Sequence, residues 1–371
     1  MRPVSVRIMH PESPAESGPI ARWVSSRRAA LAARQRDGFA AAGARDVAIV
    51  TGPPDDRSFG ERLRMLVREE RPAGLVVLGS GAIPLATQAD RVAFVSAARD
   101  DGRIALANNR YSADVVAVAR AEVLAGLPDL PGDNALPRWL DEVAGYEVRD
   151  LGRRWRLGVD IDGPLELVLI RDASGPDDID LGPLSARMAA IRAVAADRRA
   201  ELLVSGRTSP ATLAWLERGA SARVRAFVEE RGLRAASRLA QGSRTLPGGE
   251  VAGATSPVRD PRPLASLLGA LLERDGPGSL GDHLGRLADG AIVDSRVLLA
   301  HRLGADERRW PCAEDRLASD LLLADRIADP WLGELTRAAV TARIPILLGG
   351  HSLVGPGVRL LLHQPRARRW T

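Results

Sequence analysis

The sequence predicts an α/β chain in two domains, and three observations carry that reading. Short apolar runs alternate with helical patterns through the first half, as a sheet with crossover helices requires. A polar, turn-forming stretch, "DASGPDDIDLGP", interrupts the pattern at residues 172–183. Beyond it strands and helices resume, now with more helix than strand. The expected organisation is a domain over residues 1–172, a linker over 173–183 and a helix-rich α/β domain over 184–371.

Taken in order, "VSVRIM" (4–9) reads as a strand and residues 20–42 as a long helix. "DVAIVTG" (46–52) is the next strand, with a helix over 59–70. "AGLVVLG" (73–79) shows little alternation, as expected of a strand buried on both faces. A helix over 88–98, a strand at "RIALANN" (103–109) and a helix over 134–144 follow. "GYEVRDL" and "WRLGVDID" read as late strands, closing one doubly wound unit. In the second domain the reading is helix 184–199, strand 200–206, helix 210–217 and strand 223–230. A Gly/Pro-rich loop spans 245–263, and the remainder is mainly helical until strands at 344–354 and 357–363, with a frayed Arg-rich tail.

Composition narrows the chemistry. With 371 residues and 45% hydrophobic content, each domain can build a core. No run reaches the roughly 18 uncharged apolar residues of a membrane span, and the N-terminus lacks the apolar centre of a signal peptide. A cytoplasmic protein with no membrane partner is expected. Cys312 is the single cysteine, which excludes an internal disulfide and cysteine-rich metal sites. The five histidines show no metalloprotease-type spacing. There is no lysine, so all 52 basic residues are arginine. That removes a Walker A loop, a Schiff-base lysine and a lysine general base, and leaves arginine forks for phosphate or carboxylate. The net charge of +5 is interleaved with acids rather than gathered in a run, and aromatics are only 4%, which argues against nucleic acid as a partner.

The stretch "LGVDIDGPLEL" (157–167) places Asp160 and Asp162 one residue apart inside an apolar run. In a strand, residues two apart share a face, so both carboxylates would reach one side and one ion. The structural alternative is that Asp162 caps a helix opened by Pro164. Upstream stand "GSGAIPLATQADRVAFV" (79–95) and "GDNALPRWL" (132–140). This ordered set resembles the molybdenum-cofactor nucleotidyltransferases and the related 2-phospho-lactate guanylyltransferases, over residues 4–172. The resemblance implies a nucleotide-diphospho-sugar transferase-like (Rossmann-like) mixed sheet. It also implies a magnesium ion and transfer of a nucleotidyl group from a nucleoside triphosphate to a small phosphorylated acceptor.

Carried over residue by residue, the resemblance makes Asp160 and Asp162 the metal and catalytic carboxylates, and puts Ser80 and the arginines Arg22, Arg27 and Arg28 on the phosphates. It sets Asp133 beside the acceptor. Asn108, Asn109 and Tyr111, at a strand end, are further acceptor-binding candidates, with turn chemistry as the alternative for the two asparagines. The departures are specific: Ala82 stands where the family has a metal-binding aspartate, Gly163 replaces a threonine, and the first loop has no lysine. A catalytically degenerate nucleotide or sugar-phosphate binding module with a regulatory role is therefore the rival reading, and a homo-oligomer is open.

In the second domain, "VSGRTSP" places Arg207, Thr208 and Ser209 between a strand and a Pro-opened helix, a setting that attracts anions, although Ser209 is also a plain N-cap. "LLGGHSLVGPG" puts His351 and Ser352 after a buried strand. These define a third reading, an active site in the C-terminal domain around Arg207 and His351. Asp315, Asp320, Asp325 and Asp329 read as exposed i,i+4 ion pairs.

Overall fold

The computed structural model describes residues 2–53, 55, 57–130, 132–171, 176, 178–229, 265–304 and 306–362. The loop expected at 245–263 and the Arg-rich tail lie outside them. The chain divides into two compact units. The first takes in residues up to 17 and 24–161, and the second residues 18–23 and the described residues from 162 onward.

The first unit is built on a six-stranded sheet. Its strands are β1 (Val4–Pro11), β2 (Asp46–Gly52), β3 (Gly74–Gly79), β4 (Ile104–Ala107), β5 (Val115–Ala119) and β6 (Glu147–Asp150), in the order β2-β1-β3-β5-β4-β6. The sheet is mixed, because β5 runs antiparallel to both β3 and β4 while the other pairs are parallel. β5 was not expected. Its sequence, "VVAVA", is wholly buried and has no alternation to announce a strand.

The alternation of side chains along β1 and β3 divides the core between the two faces. Val4, Val6, Ile8, Val76 and Leu78 pack with Phe39 of α1 (Pro19–Ala41) and Phe94 of α3 (Gln88–Ala98). Leu75 and Val77 pack on the other face with Leu63, Leu66 and Val67 of α2 (Phe59–Glu70) and with Leu136 and Leu140 of α4 (Leu136–Glu142). Phe39 and Phe94 are fully buried, each worth about 1.5–3 kcal/mol of apolar transfer.

The second unit holds a four-stranded parallel sheet, β10-β9-β7-β8, from β7 (Glu201–Gly206), β8 (Arg223–Val228), β9 (Gly290–Asp294) and β10 (Ile346–Gly349). One face packs Leu203, Val293 and Leu348 against helices Leu267–Asp275 and Pro330–Thr341. α6 (Gly182–Ala196) crosses the other face, with Ile191 and Val194 close over Gly290. The unit also includes α5 (Pro164–Leu169) and α7 (Pro210–Gly219).

Several expectations are corrected. "WRLGVDID" is not a strand but a 3₁₀ turn at Trp155–Gly158 followed by a single bridge residue, Asp160. β9 falls in a stretch expected to be mainly helical, and its apolar run continues directly into the helix Ser295–Leu303. The run expected as a strand over 344–354 ends at Gly349 and turns into the short helix His351–Val354, and Gly357–Leu362 is helical. Asp315 and Asp320 are buried rather than surface-paired: Asp315 accepts the backbone N–H groups of Ala328 and Asp329, and Asp320 pairs with Arg296. Asp325 does pair at the surface with Arg337, and Asp329 caps the helix Pro330–Thr341. No described helix is long and apolar enough to cross a membrane.

Candidate functional site

In the first unit, the carboxyl ends of β1 and β3 carry the sequence-predicted residues. Past β3 the chain makes a tight turn through Gly79, Ser80, Gly81 and Ala82, closed by Ala82 N–H donating to Gly79 O at 3.1 Å. Ser80 N–H donates to Met9 O of β1 at 2.9 Å, and its hydroxyl lies 2.9 Å from Nδ1 of His10. Ala82 pairs with Asp160 in an isolated antiparallel bridge, and Ile161 N–H donates to Gly81 O at 3.0 Å. Gly81 has a steric reason: a Cβ there would stand 2.8 Å from Ile161 O and 2.9 Å from Asp160 Oδ1. Arg28 reaches the same place, donating from Nε to Ile161 O at 2.6 Å. Gln35 donates to the carbonyls of Ala82 and Ile83, holding Ile83 at φ +47°, a left-handed conformation that a β-branched residue adopts only under constraint. Burial, and then the charge of Arg28, push the His10 imidazole below its ordinary value, so it is neutral at pH 7.

On the opposite face of the same strand ends lies a cleft of about 310 Å³. Met9, Pro11 and Phe59 supply apolar walls, and Arg57, Arg62, Asp114 and Asp133 the charged groups. Asp133 was anticipated; Asp114, Arg57 and Arg62 were not. Nothing in the local pattern around "SADVV" marks Asp114 until β5 is known to begin beside β3.

The other predicted residues are dispersed. Asn108 is structural: buried, it donates to Asp114 and Leu157 O and accepts from the N–H groups of Asp114 and Val115. Asn109 accepts from Tyr111 N–H in a turn, and Tyr111 is exposed. Arg27 is half-buried on α1, in the first unit, while Arg22 is exposed in the second, where Glu314 accepts from the Ile20 and Ala21 N–H groups. Asp160 falls in the first unit and Asp162 in the second, 3.4 Å from Nδ1 of His351. Asp162 does not cap α5. Gly163 holds that position, and Glu166 accepts its N–H at 2.8 Å.

Among the described residues no group of three or more potential ligands is placed to hold a metal ion. Asp90, a conceivable replacement carboxylate, is committed elsewhere. Burial would raise it, but bonds from Thr87, Arg156 and Arg154 outweigh that and hold it well below the usual carboxylate range. Ala82, paired with Asp160, supplies no ligand atom beside that carboxylate.

In the second unit Arg207, just after β7, Asp294 at the end of β9, Arg296, Asp320 and Glu166 form an ionic cluster. Arg207 donates Nε and Nη2 to Asp294 at 2.6 and 3.1 Å, and Arg296 grips Asp320 with both terminal nitrogens at 2.5 and 2.6 Å. Burial pushes the Glu166 carboxyl up to about 8, with Asp320 and Asp162 adding to the shift. Thr208 donates to Val354 O, Ser209 caps α7 by accepting Thr212 N–H, and Ser352 is buried.

No family model matches the chain, and no curated protein matches it. The functional reading therefore rests on the site itself.

Proposed function

We propose that the first unit binds a nucleotide or sugar phosphate at the carboxyl ends of β1 and β3, as a nucleotidyltransferase-like unit without a preformed metal cage. The supporting observation is the turn Gly79–Ala82, bridged to Asp160 and tied to Arg28 and His10, next to a cleft of about 310 Å³. Ligands of open α/β sheets sit outside the carboxyl ends of the strands, and a largely apolar cleft with a few charged groups suits a small planar or sugar-like body. Met9, Pro11 and Phe59 would flank that body. Arg57 and Arg62 would meet its charge, and Asp133 would orient it. The mixed six-stranded sheet is compatible with the nucleotide-diphospho-sugar transferase fold implied by the motifs.

A second reading, nucleotidyl transfer from a triphosphate to a phosphorylated acceptor, is favoured by the single carboxylate of Asp160 beside the turn. Both readings are tested by a thermal-shift panel of nucleotides and nucleotide sugars, with and without magnesium, because a ligand bound only by the folded chain raises its melting point. Transfer additionally requires pyrophosphate release; binding without it leaves the module reading standing.

A further inference from the structure

We infer that the second unit carries a ligand site of its own, in which Arg207 holds a small oxyanion beside His351 as the proton-exchanging group. The place is the divergence of the sheet: the chain passes from β7 to β8 on one side and from β9 to β10 on the other, and ligands of open α/β sheets bind beyond the carboxyl ends at such a point. Two loops noted in the sequence meet there, tied by the bond from Thr208 Oγ1 to Val354 O at 3.0 Å.

Arg207 is posed rather than consumed. Asp294, with no solvent exposure, takes its Nε and Nη2, whereas Nη1 makes no hydrogen bond among the described residues. The approach is close enough that Gly206, at φ +130°, would place a Cβ 2.2 Å from Asp294 Cβ. A buried ion pair is a poor stabilising device compared with apolar packing, but a good way to fix the direction of a guanidinium.

His351 is posed in the same manner. Its Nδ1 is 3.4 Å from Asp162 Oδ2, which favours the tautomer with the proton on Nδ1. Nε2 makes no hydrogen bond among the described residues, and the side chain is 27% exposed. A Cβ built on the neighbouring Gly350 would meet nothing within 4 Å, so the turn borders open space. Asp294 faces both side chains: burial would raise its carboxyl, but Arg207, then His351 and Arg296, hold it below the usual range.

An oxyanion can be a phosphate or a carboxylate, and one experiment separates them. The full chain with ring-labelled histidine is titrated with inorganic phosphate and, separately, acetate, following the His351 ring signal, assigned by its loss in His351→Gln. A saturable displacement in the millimolar range with either ion supports the site and names its preference. Arg207→Lys keeps the charge beside Asp294 but removes Nη1, and should weaken that binding by about tenfold. The inference is overturned if neither ion moves the His351 signal at concentrations up to about 50 mM, or if Arg207→Lys leaves the titration unchanged. The His10 signal reports the first unit separately, so displacement there alone sinks this inference without touching the function proposed above.

Discussion

Ala82 and Asp160 are joined in an isolated antiparallel bridge, so the residue paired with that carboxylate offers only a methyl group. Ala82 is 1% exposed. Ala82→Asp would bury a second carboxylate beside the first and should cost about 2–4 kcal/mol without divalent cations, from desolvation and like-charge repulsion. Magnesium should return part of that loss in urea unfolding. A variant whose stability ignores magnesium would contradict the placement of these residues at one point.

Glu166 makes stability depend on pH. Its folded carboxyl is raised from 4.5 to about 8, so between those values the folded chain keeps a proton that the unfolded chain has lost. The stabilisation is complete below pH 4.5 and falls by about 1.4 kcal/mol per pH unit until about pH 8. Glu166→Gln is neutral throughout and still accepts the Gly163 N–H. It should flatten this slope and raise unfolding free energy at pH 8.5 by about 2 kcal/mol or more. An unchanged slope in denaturant melts across this range would show that Glu166 is ionised in the fold.

Arg296 and Asp320 are both buried, so removing one leaves the other uncompensated. Arg296→Met should cost about 3–5 kcal/mol in urea unfolding, and the double variant with Asp320→Leu should recover most of it. A double variant no better than the single would show that the cost comes from lost packing.

Gly206→Ala combines a left-handed backbone with a clash against Asp294 and should destabilise by roughly 2 kcal/mol or more. The measurement is the denaturation midpoint, and a shift under about 0.5 kcal/mol would contradict the geometry.

Much of the fold is legible in the sequence where a strand is bounded by turn formers. β1, β2, β3, β7 and β8 are of that kind, as is α1 with its long polar face. β5 and β9 are not, because a short buried apolar run has the same appearance in a strand and in a buried helix, and β9 flows straight into its helix. The sites divide as well. Ser80, just past β3, and Asp133 are reached through the motif resemblance rather than from local pattern. Asp294 and Asp114 acquire meaning only from non-local neighbours, Arg207 in one case and the cleft beside β3 in the other. Asp320 was misread because its spacing from neighbouring charges matches a solvated helix face, while its actual partner is 24 residues away on another helix.

The central claim is that a nucleotide or sugar phosphate occupies the strand ends of the first unit. Isothermal titration of the full chain with nucleoside triphosphates and nucleotide sugars, with and without magnesium, measures it directly. The account predicts saturable binding of at least one of them, weakened about tenfold or more by Arg57→Ala, which removes a positive charge from the cleft wall. No binding by any of them, or binding indifferent to Arg57, would contradict it.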